Sequence, residues 1–91
     1  MSYFVYIATN KTNRVLYTGV TNNIVRRMSE HKEGFIEGFT KKYRVKKLVF
    51  VQEFKSIQDA IVSEKKIKGW LRKKKIELIK GLNPTFEDLL F

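Results

Sequence analysis

The sequence predicts a small α+β domain, with a three-stranded, antiparallel-containing mixed sheet flanked by helices. Three observations lead there. A chain of 91 residues that is 43% hydrophobic and 13% aromatic supplies one modest core and no more. Three apolar runs have strand length, and the segments between and after them carry helical spacing. With one proline, no internal repeat and no low-complexity linker, residues 1–91 read as a single domain.

The elements follow in order. Residues 3–9 (YFVYIAT) read as a strand buried on both faces, residues 10–13 as a polar turn, and residues 15–19 as the hairpin partner. Residues 21–32 form a helix with Thr21, Asn22 and Asn23 as cap candidates. A loop over residues 34–43 carries Phe35 and Phe39, and a third strand runs over residues 47–54. Its alternation puts Leu48, Phe50 and Phe54 on one side and Val49, Val51 and Glu53 on the other. Ser56 followed by Asp59 resembles a capping box and opens a helix that Gly69 ends or kinks. Another helix, over residues 71–80, stops at Gly81. Asn83-Pro84 then starts a turn that folds Phe86, Leu89 and Leu90 onto the core.

Nineteen Lys plus Arg against nine Asp plus Glu give a formal net charge of +10, which favours a polyanionic partner. The absence of cysteine excludes a disulfide framework and any Cys-containing zinc site, and a lone His excludes a histidine-rich metal site. The one apolar run near the start is far too short to span a bilayer and lacks the flanks of a signal peptide, so the expected location is the cytoplasm.

Glu64 is the most informative residue. It shares a helical stripe with Ile57, Ala60, Ile61, Ile67 and Leu71, so its charge faces inward and needs a partner, a metal or a cavity. Lys65, Lys66, Lys68 and the run from Arg72 to Lys75 follow directly. One inward acid beside a basic surface suits a cation held for phosphate chemistry; a rim carboxylate reaching water or a lysine is the competing reading.

Hairpin parity adds two tyrosines. With the four-residue turn at 10–13, Tyr6 lies directly across from Tyr17 and both hydroxyls leave one sheet face, whereas an odd turn separates them. Two such tyrosines are otherwise ordinary packing residues. Arg27 and His31 stand four apart on one helix face, a phosphate grip and a group that shuttles protons near neutral pH.

These residues resemble the GIY-YIG endonuclease superfamily. The segments Val5-Tyr6-Ile7 and Tyr17-Thr18-Gly19 are similar to its two signature triplets, and Thr21, Asn23, Ile24, Arg27 and His31 fit the pattern that follows. The likeness continues through Leu48-Val49-Phe50 with Glu53, through Ala60, Glu64, Lys65, Lys68 and Trp70, and through Asn83-Pro84 with Phe86, Asp88 and Leu89. Val5 stands for the Gly of the first triplet and Thr18 for the Ile of the second, and Val20 stands where some members carry Lys. The resemblance implies a metal-dependent DNA endonuclease with Glu64 as the one protein ligand of a single Mg²⁺ or Mn²⁺ ion. It also implies that Tyr6 or Tyr17 helps activate the attacking water, that Arg27 holds the scissile phosphate and that His31 assists proton transfer.

The expected partner is the DNA phosphate backbone. Lys41, Lys42, Arg44, Lys46 and Lys47 form one basic patch, and Lys65, Lys68, Lys73, Lys74 and Lys75 belong to another, with Phe35, Phe39 and Trp70 available to stack on bases. The sequence carries nothing resembling a separate target-recognition domain, so the expected protein is weakly specific, dependent on a partner, or selective for DNA structure rather than sequence. A noncatalytic basic nucleic-acid-binding module is the alternative. A membrane-surface role is disfavoured, because so small a core needs Ile76, Leu78 and Ile79.

Overall fold

The computed structural model describes residues 1–34 and 38–90. Its elements are β1 (Tyr3–Thr9), β2 (Leu16–Thr21), α1 (Ile24–Glu33), α2 (Phe39–Lys42), β3 (Lys47–Phe54), α3 (Ile57–Lys68) and α4 (Arg72–Leu82). The sheet order is β2-β1-β3, and both pairings are antiparallel, so the described sheet holds no parallel pair.

The central place of β1 explains why its sequence is apolar on both faces. Val5 and Ile7 enter one core cluster with Phe50, Ala60 and Ile67 of α3, and Ile79 of α4. Tyr6 and Ala8 enter another with Met28 of α1, Val45 and Leu48. The helices thus divide between the two sheet faces, α1 on the Tyr6 side and α3 with α4 on the Val5 side.

The hairpin loop is longer than expected. The last β1–β2 pair is Thr9 with Leu16, which leaves residues 10–15 as a six-residue connection rather than the four of a turn at 10–13. Asn10 organises it: its side-chain oxygen accepts from the N–H groups of Arg14 at 3.0 Å and Val15 at 3.2 Å, and its carbonyl accepts from Asn13 N–H at 3.0 Å. Such Asx bonds compete with ladder pairing and widen the loop. Six residues keep the even parity, with consequences for the tyrosines.

A bulge corrects the expected face assignment in β3. Ile7 pairs with Phe50 but Ala8 pairs with Leu48, so Val49 is the extra residue. Leu48 consequently joins the Tyr6 cluster, while Phe50 and Val49 join the other. Simple alternation placed Leu48 and Phe50 together.

Helix ends follow their chemistry. Asn23, among the three candidates, caps α1 by accepting from Arg26 N–H, and Thr21 closes β2. Gly34 ends α1 at φ 75, a left-handed position. Ser56 caps α3 through Asp59 N–H, and Gly69 ends that helix. Gly81 does not stop α4, which runs to Leu82 and is capped by Asn83. The segment expected as a loop contains the short α2; Phe35 and the side chain of Phe39 lie outside the described residues.

Asn83 then latches the C-terminal tail. Its amide donates to the carbonyls of Val49 at 3.1 Å and Glu87 at 2.8 Å, and its oxygen accepts from Glu87 N–H at 3.0 Å. Phe86 and Leu90 pack on the core as expected. Leu89 does not: its side chain is exposed, and its contribution is an N–H bond to the Leu48 carbonyl at 2.8 Å.

Candidate active site

Four of the expected residues meet on the α1 face of the sheet. Tyr17 pairs with Ala8 and Tyr6 with Gly19, so the two tyrosines are diagonal neighbours rather than directly opposed. Parity still sends both rings to one face, with centroids 6.2 Å apart. The longer loop shifts the register by one pair of residues without changing the face.

The register also explains Gly19. The Tyr6 ring lies across its backbone, and a Cβ at that position would come within 2.6 Å of the ring and its hydroxyl oxygen. Glycine here is a requirement of close approach, as is often true of a glycine inside a strand.

His31, in the last turn of α1, is buried at 3% exposure and completes a three-ring cluster. Its Nε2 lies 3.0 Å from the Tyr6 hydroxyl, and its ring stands edge-on to Tyr6 and Tyr17 at 5.7 and 5.5 Å. Arg27, one turn earlier, is half-buried and has its Nε 3.8 Å from a Glu30 carboxylate oxygen. Met28, buried between these turns, pins α1 to the sheet and brings both residues to the tyrosines. Arg27 Nε and His31 Nδ1 are buried and have no hydrogen-bond partner among the described residues.

Burial sets the protonation states. It pushes the Tyr6 phenol well above its ordinary value, with the charge of Tyr17 adding and that of Arg27 opposing. It pulls His31 down to about 4, with Arg27 acting in the same direction and Glu30 against it. At neutral pH the pair is therefore a phenol and an uncharged imidazole. Tyr6, at 1% exposure, is a poor candidate for the base that activates water, and half-buried Tyr17 is the tyrosine with access to solvent.

Glu64 occupies the inward stripe of α3 with Ala60 and Ile67. Its carboxylate is held by Lys68 at 2.7 Å, the side chains being 12% and 50% exposed. The acid is thus largely covered and closed by a lysine from the next turn, the kind of partner the competing reading names. Glu64 is close enough for its charge to act on the Tyr6 phenol, and Lys68 is close enough to feel Tyr17. The bond to Glu64 raises the Lys68 ammonium above its ordinary range. No group of three or more His, Cys, Asp or Glu side chains is present among the described residues. A lone carboxylate would suit a hard divalent ion that keeps most of its waters once Lys68 has left it.

The remaining basic residues of the expected interface lie on α2, α3 and α4. Lys41 and Lys42 are exposed on α2, where Lys42 Nζ lies 5.4 Å from the Tyr43 ring centroid. Lys65 is exposed on α3, Lys73 and Lys74 are exposed on α4, and Lys75 is half-buried there. Trp70 packs against the core and carries Lys74 Nζ at 4.3 Å from its centroid, so it is a packing residue with a cation on its face. The Asp88 bonds to Lys32 Nζ and to the N–H groups of Leu48 and Leu90 depend on the fold of the tail and were not legible beforehand.

A hairpin that sets two tilted tyrosine rings beside a histidine and an arginine, next to a helix bearing one acid, is the arrangement of a GIY-YIG type of catalytic domain. The family model for the GIY-YIG catalytic domain matches residues 2–77, and the chain belongs to that family, a nuclease superfamily whose members generally depend on a divalent metal. It is 36% identical over 77 residues to a UPF0213 protein of Staphylococcus haemolyticus, covering 85% of this chain and 93% of the relative. A UPF0213 protein of Staphylococcus aureus is 34% identical over 79 residues, covering 87% and 95%. The solution NMR structure of a UPF0213 protein from Bacillus halodurans superposes with a TM-score of 0.62 at 30% identity, covering 97% of this chain and 93% of that one. No helix among the described residues is long and apolar enough to cross a membrane.

Proposed function

We propose that this chain is a divalent-metal-dependent DNA endonuclease that hydrolyses phosphodiester bonds, selecting its substrate by DNA structure in repair or recombination, with a protein partner adding specificity. The observation that carries this is the pair of buried nitrogens, Arg27 Nε and His31 Nδ1, left without hydrogen bonds beside two tyrosines. A buried polar atom without a partner costs about 1–3 kcal/mol. A bound phosphate and its water would repay that cost.

In this reading each residue has a distinct task. The Arg27 guanidinium takes the nonbridging oxygens of the scissile phosphate, where negative charge accumulates. His31, uncharged at neutral pH, keeps a lone pair on one ring nitrogen for a proton, and the Tyr6 hydroxyl at its Nε2 fixes the ring. Tyr17 orients the attacking water from the accessible edge of the cluster. Glu64 would hold a single Mg²⁺ or Mn²⁺, which supplies Lewis-acid stabilisation of the phosphoryl oxygens. Lys68 must then leave the carboxylate, and half-exposed as it is, it has room to do so. Lys41, Lys42, Lys65, Lys73, Lys74 and Lys75 contribute phosphate contacts outside the reacting centre.

The Glu64–Lys68 pair also favours a second reading, a noncatalytic basic nucleic-acid-binding module in which Glu64 only anchors a lysine. Single-stranded, duplex, nicked and branched DNA, incubated with and without Mg²⁺ and Mn²⁺, separate the two. Glu64→Gln and Tyr17→Phe should each abolish or strongly reduce cutting while DNA affinity persists. Full cleavage by Glu64→Gln would eliminate the nuclease mechanism.

A further inference from the structure

Thr18 carries a buried hydroxyl that the catalytic cluster does not use. The residue is 4% exposed, and its Oγ1 is buried without a hydrogen-bond partner among the described residues. The other buried threonines among those residues, Thr9 and Thr21, show what such a hydroxyl ordinarily does. Thr9 donates to the Val15 carbonyl at 2.6 Å, and Thr21 accepts from Asn23 N–H at 3.1 Å. Leaving the Thr18 oxygen alone in the interior is unfavourable, so a partner arriving there is stabilising.

Alternation along β2 fixes where this hydroxyl points. Leu16 and Val20 pack on the core cluster that holds Ala60 and Ile67 of α3, and Thr18 lies between them at the same two-residue spacing. Its side chain leaves the sheet toward α3, on the face opposite the Tyr17 ring.

Helix and strand run in opposite directions here. Near the start of α3, Ile57 and Ile61 line one hollow with Val20, Thr21 and Asn22. Just past its end, Arg72 donates to the Asn13 carbonyl at 2.7 Å, in the loop that leads into β2. From Ile61 to Glu64 the helix rises about 4.5 Å, which is between one and two residues of strand counted back from Val20. Glu64, in the inward stripe with Ala60 and Ile67, therefore stands at the level of Thr18 and Gly19, and of these two Thr18 is the one that faces it.

The two groups are chemically complementary. Lys68, half-exposed, sits on Oε2 of Glu64 at 2.7 Å, whereas the Thr18 hydroxyl stands on the buried side. A carboxylate has lone pairs for about four donors, and one that ligates a metal is itself held by hydrogen bonds. When Lys68 leaves, the one unpartnered buried hydroxyl among the described residues is that of Thr18.

We propose that the Thr18 hydroxyl donates to the Glu64 carboxylate once Lys68 has left it, which makes Thr18 a positioning residue for the cation site. The bond stands on the packing alone; its service to a metal rests on the nuclease reading above.

Two readouts that need neither DNA nor turnover test this. In metal-free urea denaturation, Thr18→Val should leave the wild-type midpoint unchanged or raise it, because it deletes a hydroxyl without a partner. In a Lys68→Met background, where position 68 offers the carboxylate no donor, the same substitution should lower the midpoint. In Mn²⁺ titrations followed by electron paramagnetic resonance, Thr18→Val should weaken binding about tenfold, while Thr18→Ser, which keeps the hydroxyl, stays within about threefold of the wild type. A Thr18→Val shift that is the same in both backgrounds overturns the proposal. Wild-type Mn²⁺ affinity in Thr18→Val, alongside weak binding by Glu64→Gln, overturns it too and leaves Glu64 as metal ligand. A background-dependent shift with Mn²⁺ binding as strong in Glu64→Gln as in the wild type supports the Thr18 bond and removes the metal reading of Glu64 alone.

Discussion

The Glu64 carboxylate and the Lys68 ammonium are 2.7 Å apart, one helical turn from each other, so the cation that satisfies this acid in the free protein comes from its own helix. A divalent ion must displace that lysine. Lys68→Gln should therefore strengthen Mn²⁺ binding, by about tenfold if the ammonium is the main competitor. Calorimetry or the electron paramagnetic resonance of free Mn²⁺ measures this without DNA or turnover, with Glu64→Gln as the control expected to bind weakly. Equal Mn²⁺ affinity in wild type and Lys68→Gln would show that the lysine does not compete.

Tyr6 and Gly19 form the tightest constraint on the site. An alanine at position 19 places its Cβ within 2.6 Å of the tyrosine ring, so the ring must move. The ring cannot move freely, because its hydroxyl is bonded to His31 and its body lies in the core. Gly19→Ala should destabilise the fold by about 1–3 kcal/mol, the usual range for overpacking, and disturb the His31 contact. Urea denaturation gives the first quantity and the shift of the His31 imidazole NMR signals the second. Wild-type stability together with unmoved imidazole signals would contradict the packing described.

Much of this was legible because helical and strand periodicity are local properties. The inward position of Glu64 follows from its spacing with Ala60 and Ile67, and the shared face of Arg27 and His31 follows from a four-residue step. The shared face of Tyr6 and Tyr17 needed only the parity of the hairpin loop. Exact register was not legible, since it depends on Asn10 closing a six-residue loop, and a side-chain bond of that kind competes with ladder pairing in ways composition does not show. The Val49 bulge was hidden for a similar reason: the apolar run of β3 satisfies either face. Lys68 as partner of Glu64 was one of several lysines in reach, and only packing selects among them.

His31 gives the fold a pH dependence whose sign is fixed by burial. Its pKa falls from an ordinary 6.5 to about 4 in the folded state, so between these values the unfolded chain binds the extra proton. The stability this group contributes is fully present above about pH 6.5 and is lost as pH falls towards 4, on the order of 3 kcal/mol across the window. Urea denaturation between pH 7.5 and 4.5 should show this loss in the wild type and a flatter profile in His31→Gln. Parallel profiles would mean that the imidazole takes up its proton in the folded state.

Asp88 ties the tail to both the sheet and α1, and it does so through more than an ion pair. One carboxylate oxygen accepts from Leu48 N–H at 3.2 Å and Leu90 N–H at 3.1 Å, while the other meets Lys32 Nζ at 3.1 Å. Burial acts to raise this carboxyl, but the bonds from Leu90, Lys32 and Leu48 outweigh it, and the group lies below its ordinary range. Its contribution is therefore present above the unfolded carboxyl pKa of about 3.9 and disappears as pH falls through the lower folded value. Asp88→Ala leaves two backbone N–H groups to find other partners and should cost about 2 kcal/mol at neutral pH. Lys32→Met removes only a half-exposed ion-pair partner, worth less than about 1 kcal/mol. Urea unfolding of the two variants ranks these contributions. A loss in Asp88→Ala no larger than that in Lys32→Met would assign the tail's anchoring to the ion pair instead of the backbone bonds. The larger loss should come with faster amide exchange at Leu48, Leu89 and Leu90, because the carboxylate holds that stretch of the tail along β3.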